Sequence, residues 1–218
     1  MHYHIKKLAQ SLIYFSIGMA IGGYAVLCMS MSSAEINTYV GSRVVKVFDK
    51  QGGGTGFAIR AKSGKTVIVT NEHVCNASSN KEIYFEKQSG KIYHTIIIER
   101  SKKTDLCVVD ALTQLDGLNL SEKPDLKQGV HVLGHPFGWP LKHTFGYIFN
   151  RDVIQMPYPG GKTKNIDSYF ATNLIAPGNS GSPAVNDLGE VVAVAFALEG
   201  PTSFLIPYEY LKEILSAY

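Results

Sequence analysis

A serine becomes a useful nucleophile only when a base stands ready to take its proton and a third group orients that base. The run APGNSGSP, Ala176 to Pro183, offers the serine, with Ser180 and Ser182 two positions apart among glycines and prolines. Gly178 and Gly181 permit positive φ and let another molecule approach the main chain closely. A polar turn between strands would carry the same letters, so the partners must decide. His73 sits in TVIVTNEHVC, directly after an apolar run, and Asp105 opens the apolar stretch of KTDLCVVD. Taken in the order His, Asp, Ser, with gaps of 32 and 75 positions, the three types would move a proton from Ser180 to His73 while Asp105 holds the ring. Alone, each also has an ordinary reading as a loop or turn residue.

The elements that must position them read as β. From residue 38 onward the chain breaks into short runs punctuated by Gly, Asn and Pro: YVGSRVVKVFD, GTGFAIRA, KTVIVT, EIYFEK, KIYHTIIIE, DLCVVDA, GVHVLG, KHTFGYIFNR, DSYFATNL, EVVAVAFAL and TSFLI. So many runs of strand length with turn signals between them predict a barrel or sandwich. Only the tail PYEYLKEILSAY reads as helical, with Tyr210, Leu211, Ile214 and Leu215 on one stripe after Pro207. Residues 111–128, polar with Gly and Pro, would join two β lobes. The glycine run GGGTG, Gly52 to Gly56, opens onto the strand-like FAIRA rather than a helix, which excludes a phosphate-binding loop.

A charge of +3 with scattered Lys and Arg argues against a nucleic-acid surface. His131 and His135 at i, i+4 would face together only on a helix, which HVLGHP is not. His2, His4, His94 and His143 likewise lack a setting, so no metal site is expected. From Leu8 to Ala34, 27 residues pass without a charge, preceded by Lys6 and Lys7. That pattern predicts a membrane segment over residues 8–31 with the body sent out of the cytoplasm. Ser32 and Ala34 would also serve as the small residues of a cleavage site, in which case the body is secreted or periplasmic. Of three cysteines, Cys75 and Cys107 lie in the body, and either a disulfide or two buried thiols fits the spacing.

The chain resembles the trypsin-like serine peptidases, most closely their HtrA/DegP-like branch. The resemblance rests on GTGFAI (Gly54 to Ile59), TNEHV (70–74), DLCVV (105–109), GHPFG (134–138) and TNLIAPGNSGSP (172–183). GEVVAVAFAL (189–198) and FLIP (204–207) follow, so that it spans about residues 38–218 in order. It implies an all-β fold of two six-stranded barrels, about 38–112 and 128–207, closed by a short helix over about 208–218. Residues 35–218 would then form the peptidase domain behind an N-terminal segment, 1–34. It also implies Ser180 as nucleophile, His73 as base and then acid, and Asp105 as the orienting carboxylate. The backbone amides of Gly178 and Ser180 would form an oxyanion hole. No cofactor is implied, and the partners would be protein or peptide substrates.

For the P1 pocket the resemblance implies Leu174 as floor and Ile175, Ala195, Phe196 and Ala197 as walls, favouring small or medium apolar residues. Ser182, where many relatives carry glycine, reads as structural. Asn179 replaces the aspartate that pairs with a freed N-terminus in digestive trypsins, so that route of activation is not expected. The GNSGSP spelling also occurs among glutamyl endopeptidases, but the strand VAVAFAL lacks the histidine those enzymes use to read acidic substrates. A PDZ module after Tyr218 is not expected. The alternative reading is a membrane-tethered binding module that kept the fold without turnover.

Overall fold

The computed structural model describes residues 30–76, 81–121, 127, 129–158 and 162–218. The expected membrane segment lies outside the described residues except for its last two. Among the described residues no helix is long and apolar enough to cross a bilayer.

Among the described residues twelve strands form two rings. The first contains β1 (Val44–Phe48), β2 (Gly53–Arg60), β3 (Thr66–Asn71), β4 (Glu82–Glu86), β5 (Ile92–Ser101) and β6 (Leu106–Asp110), and it closes in the order β1-β2-β3-β6-β5-β4. The second contains β7 (Gly129–Gly134), β8 (Lys142–Tyr158), β9 (Lys162–Ala171), β10 (Pro183–Val185), β11 (Val191–Glu199) and β12 (Thr202–Pro207), closing as β7-β8-β9-β12-β11-β10.

Alternation along the strands sorts side chains between two destinations. In β3, Val67 and Val69 face the core shared by the two barrels while Ile68 fills the first barrel. In β6, Leu106 and Val108 face the shared core while Cys107 and Val109 turn inward. Both strands are therefore covered on both faces, which is why they read as unbroken apolar runs. Phe57 and Ile59 of β2 enter the shared core, where Leu133, Val185, Phe196, Phe204 and Ile206 meet them from the second barrel. The connector is stitched to both barrels, because Leu118 bridges to Ile59 and Leu120 to Val191.

Among the described residues three α-helices flank the rings. Helix α1 (Ser33–Gly41) corrects the expectation that only the tail is helical. It starts at a capping box, in which the Ser32 hydroxyl accepts from the Glu35 amide and the Glu35 carboxylate accepts from the Ser32 amide. Ile36 and Val40 then enter the shared core. Helix α2 (Glu72–Cys75) is a single turn that carries His73, where a loop was expected. Helix α3 (Tyr208–Leu215) buries Leu211, Ile214 and Leu215, three of the four stripe residues.

Two further differences concern strands. The three-residue β10 is too short to show a period of two. The β8–β9 hairpin runs from Met156 paired with Lys164 back to Ile148 paired with Ala171, well beyond the expected strands. Its outer part is mostly exposed on both faces and so lacks an apolar pattern. A charged cluster braces it. Arg151 grips Asp167 through Nη2 at 2.7 Å and Glu209 of α3 through Nη1 at 2.8 Å, and the Tyr210 hydroxyl donates to Asp167 at 3.1 Å.

Candidate active site

The end of β3, the turn α2 and the start of β6 bring His73 and Asp105 together. Asp105 adopts φ +55, a left-handed conformation a non-glycine residue holds only when its surroundings enforce it. Here residues 71–73 enforce it. The Asp105 carbonyl accepts from the Glu72 amide at 3.0 Å and from Asn71 Nδ2 at 3.0 Å, while its carboxylate accepts from the His73 amide at 3.1 Å. The remaining carboxylate oxygen stands 2.8 Å from His73 Nδ1. A carboxylate at Nδ1 fixes the tautomer that leaves Nε2 free to take a proton. Asp105 is buried and His73 half-exposed.

A disulfide between Cys75 and Cys107 settles the open question of the cysteines. Each cysteine lies two positions after His73 or Asp105, so the link joins the two segments that carry the pair. From the facing hairpin, Lys164 Nζ lies 4.0 Å from Asp105 Oδ1. With Met156, Pro157, Ile166 and Phe196 it completes a cleft of about 370 Å³ around His73. Nothing in the sequence around Lys164 marked it, because its placement depends on the length of β8 and β9.

Ser180 comes from the second barrel, on the turn before β10. Its Oγ donates to the Phe196 carbonyl at 3.3 Å, and no hydrogen bond joins it to His73 among the described residues. Phe196 also lines the His73 cleft, so the two groups share a neighbour. Gly178, at φ +96, could not be replaced without a clash, because a Cβ there would lie 2.5 Å from the His135 carbonyl. The amides of Gly178 and Ser180 donate to no protein acceptor among the described residues, whereas those of Asn179, Gly181 and Ser182 are all engaged. Two unengaged N–H groups on the turn that carries a serine hydroxyl could donate to a negatively charged oxygen.

Family comparison agrees with this geometry: residues 54–194 match the model of the trypsin-like peptidase domain. The chain belongs to the trypsin-like peptidase family. Among curated relatives of the family, serine protease HTRA4 of Mus musculus is 31% identical over 175 residues, covering 76% of this chain and 34% of that protein. Human serine protease HTRA4 is 30% identical over 183 residues, covering 82% and 36%. The chain thus spans about a third of the length of these relatives. Among solved structures, the active form of the Rv3671c protease from M. tuberculosis superposes with a TM-score of 0.72 at 20% identity, covering 86% of this chain and 87% of that one. The serine endoprotease from Yersinia pestis gives 0.68 at 24% identity, covering 86% and 67%.

The expected P1 pocket needs correction. Leu174 is 74% exposed, so it does not act as a buried floor. Asn173 is the reason. It is buried, and its Nδ2 donates to the Val130 and Thr144 carbonyls at 3.1 and 3.3 Å, which turns the next side chain outward. The Phe196 side chain is committed to the shared core, Ala195 is buried, and Ile175 and Ala197 are half-buried. Ser182 is buried with an unpartnered hydroxyl, in keeping with a structural place. His131 belongs to a separate chain of bonds, with Nδ1 at 2.8 Å from His143 Nε2 and Nε2 at 3.0 Å from Asp187.

Proposed function

We propose that this chain is a serine endopeptidase that cleaves peptide bonds through an acyl-enzyme on Ser180. The observation that carries the reading is the pair of unengaged amides at Gly178 and Ser180 on the turn that bears the serine hydroxyl, with a carboxylate-bound imidazole in the cleft that Phe196 also lines. Rotation of the Ser180 side chain off the Phe196 carbonyl frees Oγ to meet His73 Nε2, which takes the proton as Oγ attacks the substrate carbonyl. The developing oxyanion accepts from the two amides, and Asp105 stabilises the imidazolium. His73 then gives the proton to the leaving amine, and water attacks the ester by the same route. Ile175 and Ala197, half-buried and apolar, with no carboxylate or basic group between them, support small or medium apolar residues at P1. A fluorophosphonate probe tests the reading. Labelling that is lost in both Ser180→Ala and His73→Ala supports it. A chain that does not label at all is a binding module on the same fold.

The charge-free segment after Lys6 and Lys7 supports a body outside the cytoplasm, either tethered by residues 8–31 or released after Ala34. The Cys75–Cys107 disulfide fits an oxidising compartment. Mass spectrometry of the mature N-terminus separates the two forms, and a body found in the cytosol would overturn both.

A further inference from the structure

An oxyanion hole made of backbone amides has no side chain to aim it. What aims it is the set of partners that hold the opposite ends of its peptide groups. In a trans peptide the carbonyl and the following N–H point in opposite directions. Fixing the Pro177 carbonyl therefore fixes the direction of the Gly178 amide, and fixing the Asn179 carbonyl fixes that of the Ser180 amide.

Every carbonyl from Pro177 to Ser180 has a donor. The Phe137 amide donates to Pro177 at 2.6 Å, and the Ser182 amide donates to Asn179 at 2.9 Å. The two carbonyls that alternate with these, Gly178 and Ser180, are both held by one residue of the other barrel. Thr55 Oγ1 donates to the Gly178 carbonyl at 2.8 Å, and the Thr55 amide donates to the Ser180 carbonyl at 2.8 Å. Of these four donors only Thr55 Oγ1 belongs to a side chain. The same oxygen accepts from the His135 amide at 2.9 Å. It thereby holds the turn that presents Phe137, itself at φ +55, to Pro177. Thr55 is fully buried, and its own carbonyl is fixed by Thr70 Oγ1 at 2.6 Å.

The flexible point in this frame is Gly178, whose lack of a Cβ opens conformations closed to other residues. Its two flanking peptides need outside restraint. One restraint is the Phe137 amide and the other is the Thr55 hydroxyl.

We propose that Thr55 is a positioning residue for the oxyanion hole. Its hydroxyl, presented by strand β2, locks the Gly178–Asn179 peptide of the second barrel, the one that lies between the two amides, so that the Gly178 and Ser180 amides keep their directions relative to each other. The proposal rests on the peptidase reading above.

The test uses the full chain with three substitutions. Thr55→Val keeps the branched shape and removes the hydroxyl, Thr55→Ser keeps the hydroxyl, and Thr55→Ala removes it without adding bulk. Deleting a hole donor outright lowers kcat by roughly 100- to 1,000-fold, so loosening one should lower it by about 10- to 100-fold. Thr55→Val should show that loss in kcat with KM changed less than about threefold, a matching loss in fluorophosphonate labelling rate, and recovery in Thr55→Ser. Should the valine protein fail to fold, the alanine protein carries the same reading. Three results would overturn the proposal: an unchanged kcat in Thr55→Val, a loss confined to KM, or a serine variant as slow as the valine one. Loss of fold in both Thr55→Val and Thr55→Ala also overturns it, since the hydroxyl would then hold the barrels rather than the hole. A wild-type chain that does not label removes the peptidase reading and this proposal with it. An active wild type with an equally active Thr55→Val removes this proposal alone.

Discussion

Removing the Cys75–Cys107 link should destabilise the body by about 4 kcal/mol. The two cysteines are 32 positions apart in sequence. In the chain-entropy account a closed loop of that length withholds roughly 12 cal/mol/K from the unfolded ensemble, or about 3.7 kcal/mol at 25 °C. For a body of this size that corresponds to a fall in Tm of about 7–15 °C. The effect has a local part as well. Because each sulfur lies two residues beyond His73 or Asp105, losing the link frees α2 to shift against β6, and the 2.8 Å contact between ring and carboxylate is the first to suffer. The assay is urea unfolding of the oxidised chain, the reduced chain and the Cys75→Ala/Cys107→Ala double variant, with turnover measured on each at a temperature where all are folded. The reduced chain isolates the link, because its two thiols still fill the core. A loss below about 1 kcal/mol on reduction would refute the loop argument. Full turnover in a destabilised but folded reduced chain would refute the local one.

Other outcomes can be checked alongside. Ser182→Ala should leave turnover largely intact and stability unchanged or slightly raised, because it removes a buried hydroxyl with no partner; peptide hydrolysis and thermal melts read both. Gly181→Ala should abolish turnover, since Gly181 sits at φ +87 and its Cβ would fall on the Thr55 carbonyl. Burial lowers the His135 imidazole below its ordinary value near 6.5, so the unfolded chain binds that proton first. Stability from this group is complete above about 6.5 and declines as pH falls below it. A His135→Gln variant should show a flatter Tm-versus-pH curve there. The Arg151 fork holds the Asp167 carboxyl below the usual carboxylate range, so its contribution is present at neutral pH and lost as pH falls through the lowered value. Arg151→Met should lower Tm at neutral pH and flatten the fall at the acid end of the same curve.

How much the sequence reveals depends on the distance between cause and effect. His73, Asp105 and Ser180 each sit in a distinctive local run but leave their ordinary readings only through the joint family resemblance; the strand–turn rhythm predicts a barrel or sandwich, and that resemblance makes it two barrels. Helix α1 was also within reach, since Ser32 and Glu35 spell a capping box, but a single turn's signal is easily outweighed by the alternation that follows. The disulfide was not readable, because spacing fixes loop length and not proximity. Thr55 shows the limit most clearly. Its hydroxyl acts on a carbonyl 123 positions away and an amide 80 positions away, and nothing in GGGTG announces either. Leu174 fails in the opposite way. The position suits a pocket floor, but the bonds that Asn173 makes send its neighbour outward.

A peptidase is surrounded by copies of its own substrate class, namely itself. A cleft that accepts extended chain can digest only segments free to leave their partners, and closed sheets have few of them. The connector between the barrels is the obvious weak seam, yet it is sewn down over its described part. The Leu118 amide donates to Ala58 while its carbonyl accepts from Arg60, and the Ser121 amide donates to Val191, whose own amide donates to Asn119. To enter a neighbour's cleft, that stretch would first have to be unpicked from both barrels. The bonds that tie the connector to both barrels would thus also shield a chain with the proposed activity from self-digestion.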